Sequence, residues 1–144
     1  MIKPSSYFDK LNDSNLLVFR NLTSFAFTVC NYPDSSPPFL LETILTVLRG
    51  CQKTLTSFKL KCYKFADIEK IVDSICNNVH LKYIRFYRLE SLTAAHVIKL
   101  AKLNNGNKVL IKIEECSSKI TRQDEQDVLS YIIKNNSINE VTFM

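Results

Sequence analysis

The tetrapeptide Leu-Thr-Ser-Phe occurs twice, at Leu22–Phe25 and again at Leu55–Phe58. A recurring unit of this kind restricts a chain to architectures that stack like on like. Lengthened, the two copies read Leu22-x-x-Phe25-x-Phe27-x-x-Cys30 and Leu55-x-x-Phe58-x-Leu60-x-x-Tyr63. The same spacing fits Leu81-x-x-Ile84-x-Phe86-x-x-Leu89 and, more weakly, Lys108-x-x-Ile111-x-Ile113-x-x-Cys116. A truncated fifth copy is Ile138-x-x-Val141-x-Phe143. From Phe25 through Phe58, Ile84, Ile111 and Val141 the steps are 33, 26, 27 and 30 residues.

That spacing has a physical reading. Apolar residues at alternate positions predict a short strand with one face turned inward. A return to a parallel neighbouring strand needs a crossover of a dozen or more residues, which a helix can supply. No unit of this length buries its own apolar face, so stacked neighbours must make one continuous core.

The intervening segments carry helical periodicity. Phe39, Leu40, Leu41, Ile44, Leu45, Val47 and Leu48 form a wide apolar face. Ile68, Ile71, Val72, Ile75 and Cys76 follow the i, i+3, i+4, i+7, i+8 pattern. Val97, Ile98, Leu100, Ala101 and Leu103 predict a third helix, and Val128, Leu129, Ile132 and Ile133 a fourth. Ser36 followed by Pro37 reads as a helix start. Ser91 is the expected cap of the third helix, and Thr121 with Asp124 a variant capping box of the fourth. The two glycines, Gly50 and Gly106, fall where left-handed residues end the first and third helices. Asn31 to Pro38 reads as a surface loop rich in proline and serine. Leu16, Leu17, Val18 and Phe19 read as the end of an earlier unit's helix.

The pattern resembles the leucine-rich repeat, LxxLxLxxN/C, in the helix-containing form of ribonuclease-inhibitor-like and F-box/leucine-rich-repeat proteins. The resemblance covers about Leu16 to Met144. It implies an α/β fold, a right-handed solenoid with parallel strands on the concave face and helices on the convex face. The whole chain, 1–144, is then a single domain with repeats starting near 22, 55, 81, 108 and 138. By the same resemblance the function is protein–protein interaction, such as substrate recognition for a ubiquitin ligase.

Composition agrees with one packed domain. Hydrophobic residues make up 46% of the 144 and charged residues 23%. The net charge of +5 favours an acidic partner but is modest for a dedicated nucleic-acid binder. The five cysteines are scattered without a CxxC, which suits reduced thiols in a cytoplasmic or nuclear protein and argues against a metal site. Met1 to Lys10 has no apolar run of the signal-sequence kind, and no stretch predicts a membrane span.

Chemistry-bearing groups are sparse. His80 and His96 are the only histidines, and neither lies beside an evident nucleophile. Two separated glycines do not make a phosphate cradle. Asp124, Glu125 and Asp127 suit the first turn of a helix. Glu114 and Glu115 are adjacent and on a strand would face opposite sides. No catalytic site, metal or cofactor is expected, and an enzyme is not.

The strand frame does single out a surface. With the apolar residues inward, the open face carries Ser24, Ala26 and Thr28; Ser57, Lys59 and Lys61; Tyr83, Arg85 and Tyr87; Leu110, Lys112 and Glu114; Glu140 and Thr142. Lys59, Arg85 and Lys112 should stand side by side, an arrangement that stability alone does not ask for. With Lys61, Tyr83 and Tyr87 they form the expected partner-binding residues, tyrosine and arginine being favoured in binding hot spots. The expected partner is an acidic protein segment, with nucleic acid as the alternative. A monomer is expected, with pairing through the last strand as the route to a dimer.

Overall fold

The computed structural model describes residues 22–29, 38–62, 68–104, 106–116 and 119–144. The expectations for Leu16–Phe19, Cys30, the loop before Pro38 with its Ser36–Pro37 cap, Tyr63, and the side chains of Phe39 and Leu40 lie outside them.

Strands and helices alternate. Among the described residues they run β1 (Ser24–Val29), α1 (Pro38–Gly50), β2 (Ser57–Cys62), α2 (Ile68–Cys76), β3 (Tyr83–Tyr87), α3 (Ala94–Ala101), β4 (Leu110–Glu114), α4 (Arg122–Lys134) and β5 (Glu140–Phe143). The result is an α/β architecture with four helices and a five-stranded, all-parallel sheet in the order β1-β2-β3-β4-β5. The helices likewise pack in chain order, α1 on α2, α2 on α3 and α3 on α4.

Register follows the repeat. Phe25 pairs with Phe58, Phe58 with Ile84, Ile84 with Ile111 and Ile111 with Val141. The inward side chains are sealed: Phe27, Phe58, Leu60, Ile84, Phe86, Ile111 and Ile113 are at most 2% exposed. Phe25 stacks on Phe58 at 6.0 Å between ring centres, and Phe58 meets Phe86 edge-on at 6.4 Å. Such pairs add to the stabilisation from area burial alone. Ile44, Val47 and Leu48 of α1, Ile71, Val72 and Ile75 of α2, Val97 and Leu100 of α3 and Val128 of α4 complete the core.

Several sequence expectations are corrected. Lys108 and Ile138 stand in the frame where Leu55 and Leu81 are buried, yet Lys108 is exposed and Ile138 is 55% exposed. The neighbouring Val109 and Asn139 turn inward instead. The backbone explains the shift. Thr56 and Lys82 each donate to the preceding unit, to Thr23 and Thr56 respectively, whereas the Val109 N–H donates to the side chain of Asn139 at 3.0 Å. Asn139 in turn donates to the carbonyls of Ala101 and Leu103, so one amide satisfies three backbone groups.

The third helix is capped by Thr93, not Ser91: its N–H donates to His96 Nδ1 at 3.1 Å in a capping box. Thr121 and Asp124 form the expected box. Gly50 is the last residue of α1 and has no positive φ, and Gly106 (φ 83°) lies beyond the Lys102 cap of α3. Neither is therefore the left-handed residue directly after its helix. Among the described residues the left-handed non-glycine positions are Arg88, Glu115 and Asn136. On α4, Leu129 and Ile133 are 42% and 77% exposed and contribute no core, while Ile132 packs partly against it.

Candidate functional site

The side of the sheet opposite the sealed residues is the candidate site. Strand pleating sends Tyr83, Arg85 and Tyr87 to it because Ile84 and Phe86 go the other way. Lys59, Arg85 and Lys112 are register partners, as the repeat frame predicts. All six expected residues share this face, but the cations do not stand as a bare row.

Tyrosine rings separate them. The Lys59 and Lys112 ammonium groups lean to Tyr83 from its two flanking strands, 5.6 and 5.8 Å from the ring centre. Lys61 sits 4.7 Å over the Tyr87 ring, and the Arg85 guanidinium 5.6 Å from it. These distances are within cation–π range, so each ring face partly offsets charge that would otherwise repel.

Arg85 has a further partner that the sequence does not reveal. Its Nη2 donates to Glu114 Oε2 at 2.7 Å. That hydrogen bond to a carboxylate holds the guanidinium above its ordinary value. Glu114 is opposite Tyr87 in register, so it reaches Arg85 diagonally. At the strand ends, Arg88 Nε donates to Glu115 at 2.6 Å. The bond to Arg88, and a second to Tyr87, hold the Glu115 carboxyl below its usual value. Both members of the Arg88–Glu115 pair have left-handed backbone, which turns them off the strand and lets them meet. Among the described residues, Lys59, Lys61 and Lys112 have no carboxylate within ion-pair distance.

The face is not flat. On β1 the register partners of Lys59 and Lys61 are Ala26 and Thr28, whose side chains are short. They leave a depression of about 360 Å3 bounded by Lys59, Lys61, Arg85 and Tyr87. Leu110, the β4 partner of Tyr83, is 38% exposed and extends the ring's apolar surface.

The histidines occupy other places. His80 is exposed. The Nδ1 of His96 accepts in the α3 capping box, which leaves Nε2 protonated in the neutral ring and donating to Glu69 at 2.7 Å. Cys51 and Cys116 are buried free thiols, and burial pushes Cys51 up to about 11. Among the described residues no three His, Cys, Asp or Glu side chains are grouped to hold a metal, and no helix is long and apolar enough to cross a membrane.

No family model matches the sequence, no curated protein is significantly similar to it and no solved structure matches its fold.

Proposed function

We propose that the chain is a leucine-rich-repeat-like, right-handed solenoid whose open sheet face binds an acidic segment of another protein. One observation carries the reading. Three lysines, Lys59, Lys61 and Lys112, stand on the open face beside two tyrosine rings with no carboxylate in ion-pair reach among the described residues, on a face whose Arg85 is already paired. A fold has no need of that surplus, whereas an anionic ligand would neutralise it and bury the rings, which are the kind of anchors that dominate interfaces. The in-register parallel strands and chain-ordered helices support the solenoid part. Substrate recognition for a ubiquitin ligase rests on the family resemblance alone. The proposed role is non-enzymatic, and the proposed state is a monomer.

Fluorescence anisotropy against degenerate peptide pools tests the reading. A pool enriched in Asp and Glu should bind more tightly than a neutral pool, and a Lys59→Ala/Arg85→Ala/Lys112→Ala variant should lose the preference. Equal binding of both pools overturns it. The same cations and rings suit single-stranded nucleic acid, where bases stack on tyrosine. An oligoribonucleotide bound more tightly than the acidic pool, with affinity falling steeply with salt, would favour that alternative.

A further inference from the structure

We infer that the open face holds two separate anion subsites, and that its ligand is an extended protein segment with acidic side chains four residues apart. This rests on the acidic-segment reading and adds the spacing to it.

The charges fall into two groups. One is centred on Tyr83, where Lys59 and Lys112 converge from the flanking strands and Leu110 offers apolar surface. The other is centred on Tyr87, where Lys61 stands over the ring at the mouth of the depression. Between them Arg85 is neutralised by Glu114. Glu114 would repel an acidic group placed at the centre, so anions are directed to the two ends. Arg88, near Tyr87, is likewise taken by Glu115. Glu140, on the far side of Leu110, is held by Lys108 at 2.9 Å.

The separation then selects the ligand. Tyr83 and Tyr87 are four residues apart on β3, about 13 Å at the rise of an extended strand. One carboxylate cannot span that distance. An extended segment running along β3 presents its own residues i and i+4 at the same interval and on the same face. Residue i+2 would lie over the Arg85–Glu114 pair and should be uncharged. Among the described residues the Tyr83 subsite has two ammonium groups with no carboxylate in ion-pair reach, whereas the Tyr87 subsite has one, whose charge Glu115, bonded to Tyr87 and Arg88, partly offsets, so the acid at the Tyr83 end contributes more.

The experiment uses the full chain and three peptide pools of equal net charge, with two aspartates fixed at i and i+2, i and i+4, or i and i+6 and all other positions neutral. Anisotropy should show the i, i+4 pool binding at least about fivefold tighter than either other pool. Lys59→Ala/Lys112→Ala should weaken it by about tenfold and Lys61→Ala by less, each variant being checked for an unchanged thermal melt. Glu114→Gln should relax the spacing and raise binding of the i, i+2 pool. Equal binding of the three pools, lost in the lysine variants, would overturn the two-subsite inference and leave the acidic-segment reading standing. Failure of every acidic pool to exceed a neutral one would overturn both. Tighter binding of an oligoribonucleotide than of any pool would move the face to nucleic acid and overturn both as well.

Discussion

Strand β3 is two sequences interleaved. Ile84 and Phe86 have no exposed surface and touch other apolar groups, whereas Tyr83, Arg85 and Tyr87, one residue away in each case, keep partial exposure and are held by cations, rings and two carboxylates, Glu114 and Glu115. The inner residues are constrained by volume, because a close-packed interior registers the loss of a few methylene groups. The outer ones are constrained by charge geometry, which the core does not require. Substitutions on the two faces should therefore fail in different assays, and that separation is the comparison's test.

The largest effect is expected on the inner face. Phe86→Ala should cost roughly 3–5 kcal/mol in a thermal or denaturant melt, enough to unfold a marginal domain. A melt that barely moves would mean that the sealed layer is not what holds the sheet. On the outer face the order reverses. Arg85→Ala with Tyr87→Ala should weaken an acidic peptide by more than about 2 kcal/mol, because it removes a ring anchor and also leaves the Glu114 carboxylate unpaired to repel the ligand. Its stability cost should be about 1 kcal/mol or less, since the broken Arg85–Glu114 pair is partly solvated. A variant that binds normally, or one that unfolds, would erase the distinction.

A third substitution sharpens the rule for the inner layer. Asn139 is polar and 3% exposed, tolerated there because its amide satisfies Val109, Ala101 and Leu103. Asn139→Ala should cost about 1–3 kcal/mol, chiefly for the Val109 N–H left without a partner. No loss would show that water replaces the amide at that end of the sheet. The smallest effect concerns pH. Burial raises the thiols of Cys51, Cys76 and Cys116. For Cys51 the rise is from 9.0 to about 11, so the fold favours the neutral thiol and that contribution is complete below pH 9.0. Stability should fall as pH climbs from there toward about 11, and a Cys51→Ala variant should show a shallower fall in urea melts across that window.

Much of this is legible in the sequence. The frame through Phe25, Phe58, Ile84, Ile111 and Val141 is the observed register, because a period of two combined with a recurring unit leaves few ways to pair the strands. The six face residues followed from the same alternation. What failed depended on information outside the period. Lys108 precedes Val109, and a frame that counts spacing cannot tell which of two adjacent residues will turn in. That depends on Asn139, thirty residues away and bonded to the Val109 backbone. The Thr93 box uses a histidine where the usual pattern has Glu or Gln. The Arg85–Glu114 pair is diagonal across two strands, so it becomes visible only once register is known.

Strand order that copies chain order also shapes how such a molecule comes apart. Every ladder is closed by a span of 26 to 33 residues, and none waits for a partner from the opposite end of the chain. Among the described strands, β2, β3 and β4 are each clasped on both sides, while β1 and β5 are clasped on one. Opening should therefore proceed as peeling from the outside, with amide exchange fastest in the terminal ladders and slowest around β3. In evolutionary time the same seam-by-seam construction lets a unit be duplicated or deleted while the joints on either side keep their shape.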